Sequence, residues 1–409
     1  MVPVCVCMRL RKILQNLRRN YRLSLLLQNL GPFSGMGRSK MIAAQTTPIL
    51  TEHVRALRAH FDSVILPLWM GQGFNGVLGL PYESLDAATG KPLPPSRYRA
   101  MACARQLYVF SEASGAAAGQ HADRLFASLC RVFRNEHGGW LYSVDAEARP
   151  LDDTQDLYTH AFVVLACSAY FQRSRNADAR KLMLATASAI EARFKTNDGL
   201  YHAALSADWL TPLRPPAQNP MMHLTEAYLA AAQVAEPALF AQHLRTLAQG
   251  VNQFFVHGPT QCISEALQGT VGNRLEPGHQ FEWLSLVHGA AQVFEGLELV
   301  ETLPRAVQWA RAHGVDVKGP GVLASLDESG AVVDGTRRIW AQTEYLRALA
   351  VLGDWPALES GLASFRTHFV HDGGWHECLN GQGEVVRADM PSTSPYHLAT
   401  CLAAMPNVV

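Results

Sequence analysis

The chain has 409 residues, 48% of them hydrophobic, and its 35 Lys+Arg are balanced by 35 Asp+Glu. It is long and apolar enough to bury a large core, and a formal net charge of zero argues against a general nucleic-acid or acidic-polymer surface. It has no run of eighteen or more apolar residues, which argues against a membrane-spanning helix.

Residues 1–45 stand apart. Arg9, Arg11, Lys12, Arg18, Arg19, Arg22, Arg38 and Lys40 make the segment basic, and it contains no Asp or Glu. Such an acid-free, Arg-rich stretch can resemble an organelle transit peptide. The preferred reading is a tail upstream of the fold, with Met36 or Met41 as a natural beginning, and the fold itself is expected to be one domain over residues 46–409. Eight cysteines (Cys5, Cys7, Cys103, Cys130, Cys167, Cys262, Cys378 and Cys401) lie in apolar contexts without a CxxC pair, as expected of reduced thiols in a cytoplasmic protein.

From about Thr47 onward the pattern is helical. Ala102 to Ala118, Tyr158 to Phe171, Ala179 to Phe194, His223 to Val234 and Phe240 to Phe255 carry apolar residues at i, i+3, i+4 spacing, and so do Trp283 to Leu299, Leu303 to His313, Thr343 to Leu352 and Pro356 to Phe369. Strand-like alternation is short and confined to loops. Three loops repeat a glycine turn followed by an aromatic residue: His137-Gly138-Gly139-Trp140, Asn197 to His202, and His371 to His376. Arg105, His160, His223, His279, Trp340 and His397 fall near helix starts at separations of 55, 63, 56, 61 and 57 residues. A period of about sixty residues accommodates two helices and two loops, and six such units close into an all-α (α/α)6 barrel with one landmark per inner helix turned toward a common cavity.

Within that pattern Pro277-Gly278-His279-Gln280-Phe281-Glu282-Trp283 reads as a turn feeding a helix, with His279 and Glu282 at i and i+3 on one face. Asn219-Pro220-Met221-Met222-His223-Leu224-Thr225-Glu226 repeats the arrangement. Imidazole beside carboxylate can hold a base in one tautomer with a pKa near neutral. A third landmark histidine, His397, follows the proline-braced loop Met390 to Pro395.

These stretches, together with Arg105 to Ser111, Tyr158 to Phe162 and Trp340 to Glu344, resemble the N-acylglucosamine 2-epimerase superfamily in order and content from about residue 50 to the C-terminus. The resemblance implies an (α/α)6 barrel that opens a sugar ring and moves a proton beside the carbonyl, with no metal, no nicotinamide and no other cofactor. It implies His279 and His397 as the acid/base pair, with Glu282 orienting His279 or holding a hydroxyl. Asn219, His223, Tyr158 and Glu226 would bind hydroxyls, Arg105 would stabilise the oxyanion, and Trp340 would form an apolar floor. The expected partner is a small monosaccharide, with neither nucleic acid nor membrane, and the protein is expected to be a monomer or homodimer.

Cellobiose epimerases of this family carry a Trp five residues before the last histidine, where this chain has Ser392. That favours a free monosaccharide such as D-mannose, isomerised to D-fructose, with N-acylglucosamine 2-epimerisation as the alternative. An (α/α)6 glycoside hydrolase would instead pair Asp152, Asp153 or Asp156 with Glu282 across the cavity. A non-catalytic sugar-binding toroid would not need His279 and His397 together. No P-loop pattern is present.

Overall fold

In the computed structural model, which describes residues 47–316, 319 and 321–407, the chain runs through α1 (Pro48–His60), α2 (Ala100–Glu112), α3 (Ala116–Ser128), α4 (Leu157–Ser174), α5 (Ala177–Ala189) and α6 (Gln218–Val234). It continues through α7 (Pro237–Phe255), α8 (Pro277–Gly289), α9 (Leu299–Gly314), α10 (Ile339–Leu352), α11 (Trp355–Phe369) and α12 (Ser394–Ala404). The expectations for residues 1–45, including Cys5 and Cys7, lie outside the described residues.

The even-numbered helices pack side by side in a ring, α12 returning to α2, and the odd-numbered helices pack around them. This is the (α/α)6 barrel that the sixty-residue period predicts. The two layers are written differently in the sequence. Inner helix α4 buries Leu157 and every residue from Thr159 to Tyr170, because neighbours enclose it on all sides. Outer helix α7 buries only a stripe, including Phe240, Leu244, Leu247, Val251 and Phe255, and turns its other face to water.

Two predicted helices overrun the observed ones. The stretch from Ala102 to Ala118 breaks at Ala113, whose extended backbone ends α2 before Gly115, at φ +93°, opens α3. The stretch from Trp283 to Leu299 breaks after Gly289; one short turn, Ala291–Phe294, follows before Gly296, at φ +74°, and α9. The apolar residues beyond each break keep the helical spacing while the backbone reverses, so periodicity alone misses the corner.

The short strands lie in the loops, as expected, and they knit neighbouring units. Tyr98–Arg99, which leads into α2, pairs with Ser143–Val144 of the next unit. Gln155–Asp156, leading into α4, pairs with Ala204–Leu205, and Arg337–Arg338, leading into α10, pairs with Cys378–Leu379. Each of these inner helices therefore starts at a height fixed by its neighbour. The three repeated turns follow outer elements, and their aromatics Trp140, Tyr201 and Trp375 are buried. The ring closes where Ser84–Asp86 pairs antiparallel with Asp389–Pro391, and where Arg58 of α1 donates to the Leu402 carbonyl of α12.

At one inner contact the packing is tighter than any side chain allows. A Cβ on Gly278 would lie 2.7 Å from the Trp340 ring and 2.9 Å from the Ala341 Cβ. The Ala341 Cβ is fixed to the α10 backbone, so this glycine sets how closely α8 approaches α10. Gly278→Ala is expected to destabilise the fold by about 1–3 kcal/mol through overpacking, read as a lower midpoint in urea unfolding with unchanged slope.

Candidate active site

At the end of the barrel where the inner helices begin, a cavity of about 260 Å³ is lined by Arg105, Tyr158, Asn219, His223, His279, Glu282, Trp340 and His397. Of the residues singled out in the sequence, these eight converge although they come from six different units. A larger depression of about 680 Å³, lined in part by Val77, Arg131, Asn135 and His137, lies outside this group and brings none of them together.

His279 occupies the first turn of α8, after Pro277. Its Nδ1 lies 2.7 Å from Glu265 and 3.6 Å from Glu276. Burial works against the charged ring, but the Glu265 and Glu276 carboxylates overcome it and raise the imidazole to about 9, so it is a cation at neutral pH. The expected orientation by Glu282 is therefore corrected to Glu265, whose position follows from the backbone. Gln280, one residue beyond His279, brackets Ile263 by accepting from its N–H and donating to its carbonyl. That clamp brings the irregular loop ending in Glu265 against the helix start. Gln218 then donates to both Glu265 oxygens while accepting from the Trp283 indole. The Trp340 ring stacks on His279 with centroids 4.8 Å apart, as a π face does beside a cation.

His397 sits opposite in charge. Its Nδ1 is 2.8 Å from Glu344, which is fully buried. Burial, reinforced by the Arg105 guanidinium, drives the ring well below the usual imidazole range, so it is neutral. With Nδ1–H donated to Glu344, the Nε2 lone pair is left for the cavity. The loop before it is held at several points: Ser392 N–H donates to the Glu83 carbonyl, Gln106 donates to the Ser392 carbonyl, and Ser394 donates to Glu377. Ser392 itself is buried and does not line the cavity.

Arg105 donates to the Tyr158 hydroxyl at 2.6 Å, and its guanidinium carbon lies 4.2 Å from the Phe162 ring centre and 4.7 Å from that of Tyr396. Aromatic faces thus hold the cation where few carboxylates reach it. Both oxygens of Glu282, the Asn219 Oδ1 and the His223 Nδ1 are buried without a hydrogen-bond partner from the protein. Burial, with Glu344 and Glu226 nearby, pushes the Glu282 carboxyl well above its ordinary range, and burial lowers His223 to about 4. Both groups are neutral hydrogen-bonding groups rather than charges.

Two expected placements differ. Glu226 does not line this cavity: it lies behind it, accepting from the Tyr396 hydroxyl and facing His223 at 3.5 Å, and it opens onto a second cavity at the other end of the barrel. His160 carries the landmark of its unit but turns away, bonding the Asp156 carbonyl and packing on Phe194 and Trp209, so Tyr158 supplies that unit's contribution. The pairing of Asp152, Asp153 or Asp156 with Glu282 that the hydrolase reading expects is not assembled. Asp156 caps α4 and pairs with Arg214, Asp153 lines the outer depression, and none of Asp152, Asp153 and Asp156 lines the cavity with Glu282.

Among the described residues, Glu265, Glu276 and His279 cluster, as do His223, Glu226 and Glu282, and Glu282, Glu344 and His397. Nδ1 of His279 at Glu265 and Nδ1 of His397 at Glu344, both at hydrogen-bond distance, account for the closest of these approaches. Sequence reasoning missed Glu265 and Glu377, and it quoted Glu344 without giving it a role. Glu265 lies in an irregular loop fourteen positions before His279, a spacing that no helix or strand period flags.

The sequence model of the family described as N-acylglucosamine 2-epimerase (GlcNAc 2-epimerase) matches residues 81–401. A mannose-6-phosphate isomerase of Rhizobium meliloti (strain 1021) is 27% identical over 381 residues, covering 85% of this chain and 95% of that protein. A D-mannose isomerase of Thermobifida fusca is 26% identical over 302 residues, covering 63% of this chain and 71% of that protein. The solved cellobiose 2-epimerase from Spirochaeta thermophila DSM 6192 superposes with a TM-score of 0.78 at 22% identity, over 88% of this chain and 98% of that one, which speaks for the shared fold. A family match spanning most of the chain, on a barrel whose cavity gathers the family-like histidines, leads to one assignment: the chain belongs to the N-acylglucosamine 2-epimerase family and is an enzyme of the isomerase type.

Proposed function

We propose that the protein is an aldose–ketose isomerase interconverting D-mannose, or a closely related free monosaccharide, and D-fructose through a cis-enediolate. The observation that carries this reading is two imidazoles facing one cavity in opposite protonation states, His279 charged and His397 neutral. The names of relatives, D-mannose isomerase and mannose-6-phosphate isomerase, support the sugar and the reaction. At about 260 Å³ the cavity lies below the usual range for drug-sized ligands and suits one sugar ring.

In this scheme the His397 Nε2 removes the proton from C2 of the open-chain aldose. The C–H electron pair becomes the C1=C2 bond, and the carbonyl pair moves onto O1, which takes the Nε2 proton of His279. The enediol then gives its O2 proton to His279 while His397 returns its own proton to C1, yielding the ketose and restoring both rings. Earlier, the same pair assists ring opening. Arg105 and the positive ends of the inner helices stabilise negative charge on the enediolate oxygens. Glu282, Asn219, His223 and Tyr158 bind hydroxyls, with protonated Glu282 able to donate, and Trp340 offers its face to the C–H side of the sugar. Glu226 acts from behind, holding His223 and Tyr396 rather than substrate. The buried free thiols of Cys103, Cys167, Cys262 and Cys401 favour a reducing, cytoplasmic setting. The family match favours a second reading, 2-epimerisation, with the same residues and the proton returned to the opposite face of C2.

Proton NMR of the protein with D-mannose in heavy water tests both readings at once. Fructose with deuterium at C1 is the expected product, and glucose labelled at C2 would mark an epimerase. Mannose, mannose 6-phosphate and N-acetylmannosamine all left unchanged would sink both. His397→Ala is expected to lower kcat by a factor of about 10²–10⁴ or more while circular dichroism stays native; wild-type turnover would remove His397 from the mechanism. Because the raised pKa of His279 keeps it protonated through neutral pH, kcat should hold steady there and fall as pH rises through about 9. Glu265→Gln removes the nearest carboxylate that holds this proton, and the alkaline limb should move down by about one unit or more.

A further inference from the structure

The ionic groups around His397 continue past the active site. Glu344 turns one oxygen to the His397 Nδ1 and the other to Arg347, which donates to it at 3.2 Å. Arg347 also lies 3.7 Å from Glu226. Neither Glu344 nor Arg347 lines the sugar cavity. Arg347 instead lines a second cavity of about 320 Å³ at the opposite end of the barrel, together with Tyr108, Glu112, Gln172 and Glu226. The inner-helix ring is thus divided by a septum of ionisable side chains: His397 on the sugar side, Arg347 on the far side, and Glu344 between them.

From this geometry we propose that Arg347 is a positioning residue for the isomerase reaction, holding Glu344 as the hydrogen-bond acceptor that keeps the His397 Nε2 free to take the substrate proton. The argument rests on tautomers. A carboxylate can only accept, so an ionised Glu344 requires the proton on Nδ1 and leaves Nε2 bare. A protonated Glu344 can donate to Nδ1, which places the ring proton on Nε2 and abolishes the base. Burial alone favours that protonated acid, and the guanidinium opposes it. No other cation bonds Glu344 among the described residues. Arg105 bonds Tyr158 and the Thr393 carbonyl instead, and Arg338 lies at the cavity mouth. The remaining titratable groups facing the pair (His223 and Glu226 on α6, Glu282 on α8, and Tyr396 on α12) do not replace this contact: His223 is neutral, and the others are acids.

The second cavity supplies a test that a merely structural salt bridge would not satisfy, because a small cation can enter it. The inference rests on His397 as the base, and His397→Ala is measured alongside. With D-mannose as substrate, Arg347→Ala is expected to lower kcat about a hundredfold with KM within about threefold of wild type. Guanidinium chloride at tens of millimolar should restore at least tenfold of the loss, and Arg347→Lys should keep at least a tenth of wild-type kcat. Removing one buried cation beside two acids can itself impair folding, so the charge-balanced Glu226→Gln/Arg347→Met chain is assayed as well and should show the same loss in kcat. Wild-type kcat in the alanine chain or the double variant would overturn the proposal, as would a loss that neither guanidinium nor lysine relieves. Undiminished turnover in His397→Ala would overturn the base assignment itself, a result separate from any of these.

Discussion

Two imidazoles within one small cavity are kept in different protonation states, and the rest of the site depends on that difference. Both rings are buried, both engage a carboxylate through Nδ1, and both lie near Trp340. What separates them is the count of neighbouring charges. His279 faces Glu265 and Glu276 at a half-open rim, so its cation is favoured. His397 has one carboxylate, itself shared with Arg347, and the Arg105 guanidinium lies close enough to disfavour a second positive charge. A charged and a neutral imidazole therefore coexist at one pH without either reaching into solvent, which is what the proposed acid and base require.

The barrel makes this arrangement possible by separating support from chemistry. Inner helices are enclosed on all sides and present only their first two turns to the cavity, where side chains project from rigid backbone and unpaired N–H groups point inward. Heights are set by strand pairs between neighbouring units, and lateral spacing by contacts such as Gly278 against Trp340. Outer helices carry most of the amphipathic pattern and none of the cavity lining, although two of the inner-helix residues closest to the chemistry, Gln218 and Gln280, serve loops rather than substrate.

The fold was legible because its period is written in residues that gather at one cavity. Arg105, His223, His279, Trp340 and His397 mark five inner helices and all line the cavity. His160 matched the same period for a different reason, filling a gap between Phe194 and Trp209, and only three-dimensional packing separates the two cases. The i, i+3 spacing of His279 and Glu282 correctly put both on the cavity, yet it implied a hydrogen bond that the structure gives to Glu265. Local spacing reports which face a side chain occupies. It says nothing of a partner delivered by a loop, and the same blindness hid Glu377 and the role of Glu344, whose partners lie seventeen and fifty-three positions away.

The pairing of Ser84–Asp86 with Asp389–Pro391 gives the ring its closure, and it also governs when the proposed acid/base pair is assembled. His397 lies just beyond that seam, and the backbone that carries it is anchored through Ser392 to Glu83. Local helical hairpins can form early in folding, but the proposed acid/base pair is not assembled until α12 docks against α1 and α2. Such long-range closure is slow compared with local helix formation. Seating of the proposed base therefore follows ring closure rather than preceding it.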